Sequence, residues 1–372
     1  MLTCMPALPA SSRSARGPID PTTLLTAVPA LLGFLPERSI IVVAFASDRG
    51  ISATMRHDLA LDDAGNPTRE LESVLEGLGT ITHSYGVEEV VAVVADDRYP
   101  ADSAPYRRVL EIADRHFDAI GGVAAGFVLS AFDAGAAWSV VWCPDGQTWS
   151  VDVLDDRGGI LDDPQTSPTA IAEAVRSGRR ILTRRSEMRA MLEPVDGECS
   201  AARPGRDCDG CGSRAAVAPR RPLSDAQLLD LVIGSVADGR RPLPCSEIAL
   251  LEQAVRRPRV RDAALALAVT DLRDHAESAW RELIRRLAGP GRAAAATLLA
   301  HLHYIGGEGA YAGVALDVAL ESDPEAKLAE LLDGCLRSGV RPTRLWEMID
   351  GSYATARELG VGMPEITRRA AG

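Results

Sequence analysis

Cys199, Cys208 and Cys211 lie in one polar stretch, and Cys208-Asp209-Gly210-Cys211 is a Cys-x-x-Cys. A tight turn with two thiolates is half of a tetrahedral zinc site, which needs four soft ligands. The other two would be Cys199 and Cys245, or a histidine from elsewhere. A zinc site on Cys199, Cys208, Cys211 and Cys245 is therefore one expectation. The other is an exposed loop with incidental or readily oxidised thiols. No other cofactor is expected.

Acidic and basic residues supply the remaining candidates. Asp96 and Asp97 follow an apolar run, Val87 to Ala95. In an α/β sheet that is where ligands bind, outside the carboxyl ends of the strands. Arg56 and Asp58 share a face of their strand, either as a ligand pair or as a structural ion pair. If Asp58, Asp96 and Asp97 act as catalytic groups with Arg56 as a ligand anchor, they must converge on one cleft. Arg261-Asp262 and Glu308 are further ligand-binding candidates. Gly306-Gly307-Glu308-Gly309 follows a helix rather than a strand, so it reads as a helix–helix turn and not as a phosphate loop. His301 and His303 are two apart and face different sides of a helix, whereas a metal pair wants i and i+4.

Several chemistries are excluded. Lys327 is the only lysine, so no Gly-Lys-Ser/Thr P-loop exists. Lys327 sits among helix formers beside an Asp-Pro helix start, a poor setting for a Schiff base. No Gly-x-Ser-x-Gly elbow, His-Glu-x-x-His pair or kinase set is present.

The elements that must position these residues fall into two halves. Pro21 to Leu35 has helical spacing and ends at Gly33 and Pro36. Ser39 to Ala46 is a β-branched run that fits a strand buried on both faces. Ile51 to Leu61 alternates as a half-buried strand, joined to it through Asp48-Arg49-Gly50. Helices are expected over 68–85, 105–120 and 168–177. Further strands are expected over 126–132, 137–142 and 147–154, with 179–183 as a last short one. The latter half reads as helices at 224–237, 246–256, 259–286, 292–305, 309–321, 325–338 and 342–357. The expected fold class is an α/β N-terminal domain, a mixed sheet with covering helices, followed by an all-α helical domain. The boundaries predicted are a disordered tail at 1–18, the α/β domain at 19–185, a linker at 186–222 and the helical domain at 223–372.

The 372 residues are 46% hydrophobic and 25% charged, with a net charge of −12, which is an ordinary globular composition. The acidic balance argues against nucleic acid as a partner. The Arg-rich stretch at 176–221 has no aromatic residue for base stacking. No membrane span is expected: the apolar run Leu24 to Leu35 is short and contains Pro29. The first eighteen residues lack the apolar core of a signal peptide, and an odd number of scattered cysteines fits reduced thiols in the cytoplasm.

Leu24-Leu25-x-x-Val28-Pro29-x-Leu31-Leu32-Gly33-Phe34-x-Pro36-x-x-Ser39-x-x-Val42-Val43 resembles the opening signature of an actinobacterial family, the domain of unknown function numbered 4192. Similar matches follow at Arg56-x-Asp58-Leu59, at Trp138 leading to Cys143-Pro144-x-Gly146, and at Val260-Arg261-Asp262. They continue at Gly306-x-x-Gly309-Ala310, Ala315-Leu316-x-x-Ala319-Leu320-x-x-Asp323-Pro324 and Leu328-Ala329-x-Leu331-Leu332, then Gly339 and Pro342. The resemblance spans nearly the whole chain and implies an actinobacterial cytoplasmic protein, with no reaction attached. Trp142 stands where the family's hairpin commonly has a second cysteine beside Cys143. The reading favours a non-catalytic binding or regulatory protein, with a protein partner or second copy on the helical domain. The alternative is an enzyme acting on a small phosphorylated or carboxylated metabolite in a cleft of the α/β domain.

Overall fold

The computed structural model describes residues 2–3, 19–144, 157–195 and 222–367. The chain divides into two units. One is Met1–Glu187 with Glu308–Ala310 and Ala371–Gly372; the other is Met188–Gly307 with Tyr311–Ala370.

The first unit is built on a seven-stranded mixed sheet in the order β1-β3-β2-β4-β5-β6-β7. The strands are β1 (Leu2–Thr3), β2 (Ser39–Phe45), β3 (Ile51–Asp58), β4 (Glu89–Ala95), β5 (Val123–Leu129), β6 (Ala137–Trp142) and β7 (Gly158–Ile160). Only β4 and β5 are parallel; every other adjacent pair is antiparallel. All seven residues of β2 are buried, as the β-branched run predicts for a strand with neighbours on both edges and helices on both faces.

Helix α1 (Pro21–Leu32) starts at Asp20, whose carboxylate accepts from the Thr23 N–H at 2.7 Å, with Pro21 in the first turn. It ends at Gly33, whose φ of 83° is left-handed. Almost every side chain of α1 is buried, and Trp138 Nε1 donates to Thr22 Oγ1 at 3.2 Å. That contact sets α1, with α4 (Pro168–Ser177) packed beside it, on the sheet face bearing Phe127 and Trp138. Helices α2 (Arg69–Ser84) and α3 (Ala104–His116) lie together, and Leu110 of α3 meets β5 at Gly126 on the opposite face. Helix α3 is the crossover that parallel β4 and β5 require.

Several sequence boundaries shift for local reasons. The strand expected to reach Leu61 stops at Asp58: the Leu59 N–H still donates to Arg38 O at 2.7 Å, but Arg38 has a left-handed φ of 44°, which extended pairing does not allow. Thr54 on it is fully buried, so β3 is covered on more than its apolar face. The segment at 179–183 makes only a single parallel bridge, Phe34 to Leu182. A helix, α5 (Arg185–Ala190), occupies the start of the stretch read as linker. The strand expected over 147–154 and its turn at Asp145-Gly146 lie outside the described residues.

The second unit is helical: α6 (Asp225–Asp238), α7 (Cys245–Val255), α8 (Pro258–Ala264), α9 (Arg273–Arg286), α10 (Gly289–Ile305), α11 (Gly309–Ser322), α12 (Lys327–Arg337) and α13 (Trp346–Leu359). The single helix expected over 259–286 is broken. After α8 come a 3-10 turn at Leu265–Val269 and an extended Thr270. The Thr270 hydroxyl donates to Leu267 O at 3.1 Å and accepts from the Leu272 N–H at 3.2 Å. These local bonds replace a helical turn. Helix α10 is the centre of this unit, packing against α7, α9 and α12.

Candidate functional site

Near one margin of the sheet, β3 and the chain entering β2 surround Arg56. Its Nε donates to Ser39 Oγ at 2.7 Å, and Nη2 donates to Glu37 O at 3.3 Å and pairs with Asp58 Oδ1 at 2.5 Å. The guanidinium stands 5.9 Å from the Phe34 ring centroid. Burial lowers the Arg56 pKa, opposed by the charge and hydrogen bond of Asp58, with Arg185 adding to the lowering. Arg56 is thus a multiply bonded tie between β2, β3 and the segment after α1.

Asp96 is held separately. Both of its oxygens accept from Arg98 Nε at 3.0 Å, and its side chain is fully buried. Arg98 Nη2 reaches back to Leu59 O at 2.9 Å. Tyr106 donates its hydroxyl to Asp96 O and accepts from the Tyr99 N–H, each at 3.1 Å. Burial pushes the Tyr106 phenol up to about 12. Asp97 pairs with Arg38 at 3.5 Å in the open.

The register decides whether these groups meet. Ser39 stands opposite both Asp58 and Ala95, so those three share a sheet face. Asp96 is one residue beyond Ala95 and turns to the other face. The carboxylates are each engaged by a different arginine, Asp58 by Arg56, Asp96 by Arg98 and Asp97 by Arg38. Strand alternation gives the face of each residue once the register is known, and register is what a single sequence does not supply.

Glu308, which clusters with the first unit, pairs with Arg179 at 3.0 Å and is buried. Its neighbour Gly307 has φ 78°, as a helix–helix turn requires. Cys199, Cys208 and Cys211 lie outside the described residues, and Cys245 opens α7. Among the described residues no group of three or more His, Cys, Asp or Glu is placed to hold a metal ion. His301 is completely buried, and neither ring nitrogen has a hydrogen-bond partner among the described residues. Burial lowers its pKa to about 4.

The helical unit holds a cleft of about 420 Å³ at α8, α10 and α12, within the size range of small-ligand pockets. Its charged lining is Arg256, Arg261 and Lys327, with Asp323 and Glu325. Its apolar lining includes Val255, Ala293, Ala294, Leu328 and Ala329. Arg261 gives Nε and Nη2 to Asp262 Oδ1, at 2.9 and 2.8 Å. Lys327 Nζ is 3.1 Å from Glu330 and its side chain is 84% exposed. Arg256 has no ion-pair partner among the described residues. Asp323 Oδ1 accepts from the Glu325 N–H at 3.1 Å and so shapes the turn before α12. Of the lining cations, only Arg261 was a sequence candidate. Arg256 and Lys327 were missed, although a lone lysine is a signal that could have been followed.

The described residues thus form an α/β sheet unit and a helical unit that carries a charged cleft. The chain belongs to the family described as a domain of unknown function, DUF4192, which matches residues 21–343. No curated protein and no solved structure gives a significant match. No helix among the described residues is long and apolar enough to cross a membrane.

Proposed function

We propose that this chain is a non-catalytic binding or regulatory protein of the actinobacterial cytoplasm, with the helical unit as its binding element. The observation that carries the reading is the cleft at α8, α10 and α12, where Arg261 of α8, Lys327 of α12 and Arg256 at the end of α7 line one cavity together with small apolar side chains of α10. The polar groups of the sheet unit support it as well, since Arg56 pairs with Asp58 and Asp96 with Arg98. The net charge of −12 disfavours nucleic acid and leaves small molecules, a protein partner or a second copy as occupants.

The test is native mass spectrometry of the full chain purified from its own cells without chelator, beside Arg256→Glu. The expected result is a bound species on the natural chain that is missing from the variant. A bare natural chain overturns the proposal. So does a species that survives Arg256→Glu, is lost in Asp58→Asn and is chemically converted on incubation, which restores the enzyme reading.

A further inference from the structure

Resting on that reading, we infer that the cleft takes a small organic anion, its phosphate or carboxylate held by Arg256, Arg261 and Lys327 and its apolar body seated over Ala293, Ala294 and Leu328.

The chain is acidic overall, yet three cations, including its only lysine, line one cleft. Arginine forks match the paired oxygens of a phosphate or carboxylate, and charge-assisted bonds to them are the strong ones. Arg256 makes no ion pair among the described residues. Arg261 spends two nitrogens on the single oxygen Asp262 Oδ1, and the rest of its five-donor fork remains for a ligand. The two acidic liners offset part of this charge and leave the lining net positive. Asp323 accepts from the backbone at Glu325, and Glu325 is exposed at the rim. The first turns of α10 and α12, at Pro290 and at Ala326–Lys327, also line the cleft, and neither helix has a side-chain cap. The N–H groups of a first helical turn add partial positive charge to a cleft that they line. The rest of the lining includes small apolar side chains, Ala293, Ala294 and Leu328 among them, which give a ligand body somewhere to lose water.

The single lysine makes the test direct. The full chain is acetylated with an N-hydroxysuccinimide ester, and tagging at Lys327 is read by peptide mass spectrometry with inorganic phosphate, adenosine monophosphate or benzoate present. The expected result is saturable protection of Lys327, about fivefold or more, by adenosine monophosphate or benzoate, with inorganic phosphate weaker because it lacks a body. Which of the two organic anions protects better assigns phosphate or carboxylate. Arg256→Gln raises the half-protecting concentration at least about tenfold, the loss of one charge-assisted contact, while its melting temperature is unchanged. The inference falls if none of the three protects Lys327, or if protection is the same in Arg256→Gln. It falls equally if an oligoglutamate peptide protects where the small anions do not. If an adduct in native mass spectrometry is lost with Arg256→Glu while no anion protects Lys327, the binding reading stands and only the anion chemistry is wrong.

Discussion

His301 is the residue whose setting has the clearest thermodynamic consequence. It lies on α10 one turn beyond Thr297, which lines the cleft, and both ring nitrogens are buried without a partner among the described residues. Its folded pKa of about 4 is below the ordinary 6.5. The folded state therefore binds fewer protons than the unfolded chain between those values. Stability is intact above pH 6.5, falls as pH drops through that value, and levels off near pH 4. The loss is about 3 kcal/mol in all. His301→Leu removes the unpartnered polar atoms and the proton linkage together. We expect urea unfolding at pH 7 to show equal or higher stability for His301→Leu. At pH 4.5 the gap in its favour should widen by about 2 kcal/mol; parallel pH profiles for the two chains refute this. The residue scale is also where the sequence was least legible. Arg56 and Asp58 were recognisable as a pair, and they are one at 2.5 Å. Asp96 is paired with Arg98, and position along a strand says nothing about which face a neighbouring strand presents.

At the scale of elements, α2 contains a matched pair of glycines with opposite predicted effects. A Cβ at Gly79 would sit 2.1 Å from the His116 carbonyl oxygen of α3, a backbone atom that has no freedom to withdraw. Gly77 has nothing within 4 Å. Gly79→Ala should destabilise by about 2 kcal/mol through overpacking. Gly77→Ala should stabilise by about 0.5–1 kcal/mol, because glycine is entropically costly inside a helix. Thermal melts of the two variants, two positions apart, must therefore move in opposite directions; shifts of the same sign would mean that α2 and α3 are not packed this closely. Element identities were largely visible beforehand, since β2, α1, α4 and most helices of the second unit follow directly from apolar period and caps. The break in 259–286 was not visible. Thr270 is compatible with a helix by propensity, and only its hydrogen bonds to Leu267 and Leu272 stop one there. The 3-10 turn that opens the last helical segment at Pro342–Leu345 was not visible either, because four residues are too few to tell a period of 3.0 from one of 3.6.

For the whole molecule, the family match covers sequence in both units, over residues 21–343. The two-part plan was legible because a strand period and a helix period occupy different halves of the chain. The cleft was not, because Arg256, Arg261 and Lys327 come from separate elements and are adjacent only after folding. The sheet order carries one more consequence. Strand β2 lies between β3 and β4 with every residue buried, whereas β7 has three residues and two glycines and pairs only with β6 among the described residues. Protection of backbone amides against exchange with deuterated water should grade accordingly. Amides of Ile40 to Ala44 should exchange only when the whole unit opens, and those of Gly158 to Ile160 should exchange orders of magnitude sooner. Equal rates in the two strands would contradict this order. The sheet thus keeps its own clock, slowest at the strand that pairs on both sides and fastest at its glycine margin.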